Sequence, residues 1–243
     1  MPFHLRMTVV MTEPVTLILG GGGQFGAYEA GIWLAIEGNV ELECVVGASI
    51  GAVNGWAIAS GVPAAEFVRY WLNPGPAVKL RWQWPKRLLG GLLDAAPFEE
   101  FLRQMCAKYT PKTRFGCALT ELPRLRQKLV MYPEAGWQHL AASCAVFGLL
   151  PQLNLDGQWY TDGGTKKACP LWAAPLVGAR RVLAVDCWNE GEWEQTGGTL
   201  LVRPRESLGS WTEMLTFDAE KAARWVETGR RDGKEALARL AVL

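Results

Sequence analysis

The sequence predicts an α/β domain of three layers, with a mainly parallel central sheet and helices on both of its faces. Three observations carry that expectation. Short β-branched, apolar runs recur along the chain, stretches of helical spacing follow them, and no internal repeat or long linker divides the whole. Strand, turn and helix in alternation give parallel strands joined by crossover helices.

Residues 15–19 (VTLIL) end in four glycines, Gly20 to Gly23, as expected of a buried strand. Residues 27–37 then place Ile32, Leu34, Ala35 and Ile36 at helical spacing. Residues 42–46 form the second strand, and residues 49–60, small and apolar almost throughout, read as a helix buried against the sheet. Gly61-Val-Pro63 ends that helix and starts another, to about residue 72. Residues 115–121 and 127–132 are further strands. Residues 153–155 and 158–161 make a hairpin whose Asp156-Gly157 pair supplies the positive-φ turn. A helix near 171–177, strands at 181–186 and 199–202, and a helix over 217–240 interrupted near Gly229 and Gly233 complete the reading. Residues 1–14 read as a loosely ordered N-terminal extension, and residues 15–243 as a single domain.

Composition narrows the function. With 25 Lys+Arg against 24 Asp+Glu the net charge is +1, which gives no general grip on nucleic acid. No apolar run approaches the roughly 18 residues of a membrane-spanning helix. Residues 1–14 lack a basic end followed by an apolar core, so a cytoplasmic location is the expectation. Cys44, Cys106, Cys117, Cys144, Cys169 and Cys187 are scattered without a C-x-x-C pair and read as buried thiols in a reducing compartment. His4 and His139 are the only imidazoles, too few for a zinc site, and no metal is expected.

Three motifs carry chemistry. Gly21-Gly22-Gly23-Gln24-Phe25-Gly26 follows a strand and opens a helix, where free N–H groups favour an anion. Gly21, Gly23 and Gly26 also fit a dinucleotide fingerprint, with Glu41 or Glu43 near the distance of a ribose-binding acid, and a purely structural turn is the plain alternative. Gly47-Ala-Ser49-Ile-Gly51 places a serine on a strand-to-helix turn, the setting of a nucleophile elbow; otherwise Ser49 is a helix cap between packing glycines. Asp162-Gly163-Gly164 alone would be one more turn. A nucleophilic serine needs a base. No histidine follows His139, and the only one before Ser49 is His4, so counting nearly excludes a triad. His139 reads as a structural histidine with a local hydrogen bond. A carboxylate acting directly on the serine is the simplest arrangement left.

With these three motifs in this order, the chain resembles the patatin-like phospholipase family over roughly residues 15–190. The segments that carry the resemblance are GGGQFGAYEAG from Gly21, GASIGAVNG from Gly47 and DGGTKKACPL from Asp162. Ala141-Ala-Ser143 and the run from Gly178 to Asp186 add to it. The resemblance implies a Ser49–Asp162 dyad, with an oxyanion hole drawn from Gly21, Gly22, Gly23, Gln24 and Gly26. It further implies an elbow shaped by Gly47 and Gly51, an aspartate loop at Gly163 and Gly164, a lipid or other ester substrate, and no cofactor. Two positions depart from the family. Phe25 stands where many relatives have Arg or Lys, which weakens the case for a phosphorylated head group. Ala168 and Cys169 precede Pro170 where relatives often have asparagine. The alternatives are a nucleotide-binding domain using residues 21–26 and a catalytically silent binding module.

The irregular stretch 73–97 is the expected excursion over the active-site mouth. Trp82 and Trp84, with Lys79, Arg81, Lys86 and Arg87, read either as a peripheral membrane contact, rings at headgroup level, or as cover for the core.

Overall fold

The chain alternates as the sequence suggests: β1 (Val15–Leu19) runs through a 3-10 turn (Gly23–Phe25) into α1 (Gly26–Ile36), and β2 (Leu42–Ala48) into α2 (Ile50–Ala59). After α3 (Ala64–Leu72), a short ribbon of β3 (Arg81–Trp82) and β4 (Leu93–Asp94) leads to α4 (Ala96–Lys108). There follow β5 (Arg114–Glu121), β6 (Arg126–Met131), α5 (Trp137–Ser143) and the hairpin β7 (Leu153–Leu155) and β8 (Gln158–Thr161). The last elements are β9 (Val182–Val185), β10 (Thr199–Val202), α6 (Trp211–Leu215) and α7 (Ala219–Leu240). This computed structural model describes residues 13–75, 81–84, 89–188 and 197–242, Arg81 by its backbone alone.

The sheet order is β10-β9-β1-β2-β5-β8-β7, with β6 also paired to β5. The five strands from β10 to β5 are parallel, and β6, β7 and β8 add antiparallel pairs at one side. Alternation along each strand divides the core. Leu17, Leu19, Val45, Phe115, Leu183 and Val185 face the long helices. Ile18, Cys44, Val46, Val182 and Ala184 face the other way. That second face is covered by Cys169, Ala173 and Val177, from a segment that the sequence reads as one helix near 171–177. It forms two 3-10 turns instead, Leu171–Ala173 and Pro175–Val177, because Pro175 interrupts the backbone hydrogen-bond ladder.

On the helical face α2 is buried from Gly51 to Ala59 and apolar but for Asn54, whereas α3 buries one stripe, Ala64, Phe67, Val68 and Trp71. The helix α7 is unbroken, contrary to the interruption expected at Gly229 and Gly233. Those glycines let two backbones touch. A Cβ on Gly229 would lie 2.0 Å from the Tyr28 carbonyl oxygen, and one on Gly31 the same distance from that of Val226. Asp218 caps α7 by accepting from the Glu220 and Lys221 amides, and the Tyr28 hydroxyl donates to Asp232 at 3.0 Å across the contact. The helices α4, α5 and α6 have no counterpart in the sequence reading.

Trp82 and Trp84 are 77% and 91% exposed, so neither covers the core. Lys79, Lys86, Arg87 and residues 1–12 of the expected extension lie outside the described residues. Among those described, no helix is long and apolar enough to cross a membrane. The six cysteines are free thiols, five of them buried.

Alanine favours an isolated helix over glycine by about 1 kcal/mol. The close crossing predicts the opposite sign here: Gly229→Ala is expected to lose about 2 kcal/mol in urea unfolding, through overpacking of α1 against α7. An unchanged or raised midpoint would contradict the contact.

Candidate active site

The site is assembled at the carboxyl ends of β1 and β2, where open α/β sheets place their ligands. Between β2 and α2 a single residue, Ser49, makes the turn, with φ 53° and ψ −130°. This strained, left-handed conformation lifts the side chain off the strand. Two flanking positions can only be glycine. A Cβ on Gly47 would lie 2.1 Å from the Gly51 carbonyl oxygen, and one on Gly51 would lie 2.4 Å from that of Gly20.

The turn is fastened from outside. The Ser49 N–H donates to Ser143 Oγ at 2.8 Å, and that hydroxyl donates in turn to the Ala118 carbonyl at 2.7 Å. The Ser143 carbonyl accepts the Gly163 N–H at 2.9 Å, and the Ala145 carbonyl accepts the Asp162 N–H at 3.0 Å. The turn of chain that ends α5 therefore helps to set both Ser49 and Asp162, which stand 113 residues apart in the sequence numbering. In the sequence, Ala141-Ala-Ser143 is a family likeness with no task attached. The available signal was a hydroxyl in the otherwise apolar run from Leu140 to Val146.

Asp162 Oδ1 accepts the Gly164 N–H at 2.7 Å, while Oδ2 is buried with no hydrogen-bond partner among the described residues. Burial raises the carboxyl pKa to about 6, and the nearby Ser49 hydroxyl and the Gly164 amide offset part of that rise. The serine does not close a hydrogen bond of good geometry onto Oδ2 in this resting arrangement, as is common before substrate binds. Asp162 is thus a carboxylate at neutral pH with one oxygen still open to a proton. Cys144 borders the same cavity, but burial pushes its thiol well above the ordinary range, so it stays protonated. His139 is remote from this cavity and accepts the Gly136 N–H at 3.2 Å, the local bond expected of it.

Ser49 and Asp162 open onto a cavity of about 350 Å³ bordered also by Gly21, Gly22, Gly23 and Gln24. The Gly21 N–H is committed to the Ala168 carbonyl at 2.9 Å, and the Gly26 N–H to carbonyls within the turn. These two of the expected oxyanion residues shape the loop. Gly22, Gly23 and Gln24 begin the helical turn, where N–H groups have no partner within the helix. Behind the loop, Asn54 donates to Glu29 at 2.7 Å and to the Gly26 carbonyl, and accepts from Trp71. Burial raises the Glu29 carboxyl to about 8, against the pull of Asn54, so it is largely protonated at neutral pH.

Phe25, where a cation would be expected, is buried in the core, edge-on to Trp188 and Trp225. Among the described residues that border the cavity, Asp162 is the only charged one. The dinucleotide reading fails on position. Glu43 accepts from Thr16 near the start of β1, and Glu41 bonds Val15 through its carbonyl, so both acids lie at the strand ends opposite the glycine loop.

Comparison with known proteins agrees with this geometry. A family model described as patatin-like phospholipase matches residues 17–175. Lysophospholipase NTE1 of Debaryomyces hansenii is 25% identical over 192 residues, covering 75% of this chain and 12% of that protein. Lysophospholipase NTE1 of Mycosarcoma maydis is 28% identical over 181 residues, covering 71% and 10%. The chain thus spans about a tenth of the length of these curated relatives. Among solved structures, VipD from Legionella pneumophila superposes with a TM-score of 0.59 at 13% identity, over 95% of this chain and 68% of that one, a likeness of fold.

Ser143→Ala would leave the buried Ser49 N–H and Ala118 carbonyl unpaired. The expected cost is about 1–3 kcal/mol of stability. Labelling of Ser49 by a fluorophosphonate, read by intact mass, is expected to slow at least tenfold. Labelling at the wild-type rate would show that Ser143 does not position the elbow.

Proposed function

The chain belongs to the patatin-like phospholipase family, and on that premise we propose that it is a lipid acyl hydrolase using Ser49 as nucleophile and Asp162 as its base. The observation that carries this reading is the convergence of Ser49, Asp162 and the glycine loop on one largely apolar cavity. Ser49 Oγ attacks the ester carbonyl while its proton passes to Asp162 Oδ2. The N–H groups of Gly22, Gly23 and Gln24 hold the tetrahedral oxyanion, a contribution of roughly 3 kcal/mol for such a donor. Collapse breaks the ester C–O bond, and Asp162 returns the proton to the leaving alcohol. Water, deprotonated by Asp162, then attacks the acyl-serine; the acid is released and Ser49 regains its proton.

The cavity favours esters whose leaving group carries no phosphate close to the reacting carbonyl. Phe25 takes its side chain into the core, and the described residues that border the cavity offer no cation to a phosphate. Lysophospholipids and acylglycerols, both within the lipid class, are the substrates to compare first.

The test is hydrolysis of p-nitrophenyl esters by wild type, Ser49→Ala and Asp162→Asn. Both variants are expected to lose activity by about 10³-fold or more. Retained turnover in Ser49→Ala would remove the assignment.

Wild-type kcat/KM should rise with pH through a midpoint near 6 and level off above it, because the base must be ionised. Stability should move the other way. The folded-state carboxyl is raised above its unfolded value, so stability falls as pH climbs from about 4 to 6. The ionised form costs up to about 3 kcal/mol. Asp162→Asn should therefore unfold at higher urea than wild type at pH 8, with the gap closing by pH 4. A wild-type midpoint no lower than that of the variant at pH 8 would count against a buried ionised carboxylate.

A further inference from the structure

A second cavity, of about 240 Å³, lies along α2 between α3 and α4. Its borders are almost wholly apolar, among them Val53, Ala57, Phe67 and Met105. Ile50, Trp71 and Phe98 border this space and the catalytic cavity alike, so the two meet one residue beyond Ser49. Nothing in the proposed chemistry uses it. At its far rim the lining turns polar. Tyr109 donates to Glu66 at 2.7 Å, the Tyr70 and Tyr109 hydroxyls stand 3.3 Å apart, and Lys108 reaches Tyr70.

Resting on the reading of Ser49 as nucleophile, we propose that this cavity is the acyl-chain site and that its depth selects esters of medium-chain fatty acids. Two measures give the length. An apolar cavity of about 150 Å³ holds benzene, so one of 240 Å³ holds on the order of ten carbons. From Ile50 to Ala57 the helix rises about 10 Å. An extended alkyl chain advances about 1.25 Å per carbon with ordinary bond lengths and angles, so some eight carbons cover that distance. A chain of about eight to twelve carbons fills the cavity with its carbonyl at Ser49. A longer chain must push its tail into the polar rim of Glu66, Tyr70, Lys108 and Tyr109, where apolar surface gains nothing and hydrogen bonds are lost. A shorter one forfeits roughly fourfold for each methylene left unburied.

The contacts of Trp71 and Phe98 suit the boundary they form. Trp71 is held by its indole N–H to Asn54 at 3.2 Å, and Phe98 stacks on Phe101 with ring centres 6.4 Å apart. Ala57 is the side chain whose enlargement shortens the space. Met105 is the one whose truncation deepens it.

Binding is measured on Ser49→Ala, which cannot turn a substrate over, by calorimetric titration with sodium butyrate, decanoate and palmitate. Decanoate is expected to bind at least tenfold tighter than either neighbour, and Ala57→Phe in the same background to erase that preference. In parallel, kcat/KM for p-nitrophenyl esters of four to sixteen carbons is expected to peak between eight and twelve. The peak should move to shorter chains in Ala57→Phe and to longer ones in Met105→Ala. Should the Phe variant fail to fold, Met105→Ala carries the test alone. A preference for palmitate, or a profile unmoved by Met105→Ala, overturns the acyl site while leaving the serine assignment intact. Decanoate binding that depends on residue 57, in a protein that hydrolyses no ester, supports the site and overturns the nucleophile.

Discussion

The hydroxyl of Ser143 fastens together the parts of the chain that the sheet brings to the candidate site. It accepts from the backbone of Ser49 and donates to Ala118 within β5, and its own carbonyl takes the amide of Gly163. Parallel strands place Ala48 beside Ala118 by register. The aspartate follows β8 from the other side, where antiparallel register sets Thr161 beside Thr120 of β5. The Ser143 segment ties the two loops to each other beyond the strand ends. A buried hydroxyl with every bond satisfied is rigid, and removal of one member exposes the full cost of the others.

That rigidity meets a local expense. Ser49 occupies a backbone conformation that costs of order 1–3 kcal/mol wherever it is found in a side-chain-bearing residue. Asp162 keeps a buried oxygen without a partner. Glu29, behind the loop, is a carboxyl that burial keeps largely neutral at neutral pH. The surrounding structure offsets these terms with ordinary packing, above all the contact of α1 with α7. There Gly31 and Gly229 bring two helix backbones together, and α1 is the helix that the glycine loop opens. The loop therefore stands on a closely packed helix pair, a firm base for the donors that the proposed reading requires.

Most of the sheet was legible in the sequence because strands 15–19, 42–48 and 182–185 are buried on both faces and read as continuous apolar runs. The elbow was legible because its geometry tolerates only glycine at 47 and 51. Three things were not. Gly229 and Gly233 read as helix breaks, since a helix-helix crossing and a break leave the same residue in the sequence. The segment 171–177 read as a helix because its apolar spacing outweighed Pro175. The helix α4 went unread because the sequence reading treated 73–97 as irregular and gave no element to the residues beyond it, although Pro97 stands in its first turn, where proline is tolerated. At the site itself the sequence supplied the serine and the aspartate but not Ser143, whose role exists only in the folded geometry.

The position of Phe25 shows how one substitution redistributes a site's chemistry. A cation there would have to stay near water or near an anion, and would hold the loop toward solvent. Phe25 instead turns inward, between the rings of Trp188 and Trp225, and Trp188 donates its indole N–H to the Gly21 carbonyl at 3.0 Å. The loop is therefore held by aromatic packing and one indole hydrogen bond, and the cavity above it loses a charge. On the proposed reading, the Ser49 hydroxyl and the loop amides act in this low-dielectric space with little competition from water. With no cation among the described residues that border the cavity, discrimination on the proposed reading passes to shape, set by the apolar space along α2.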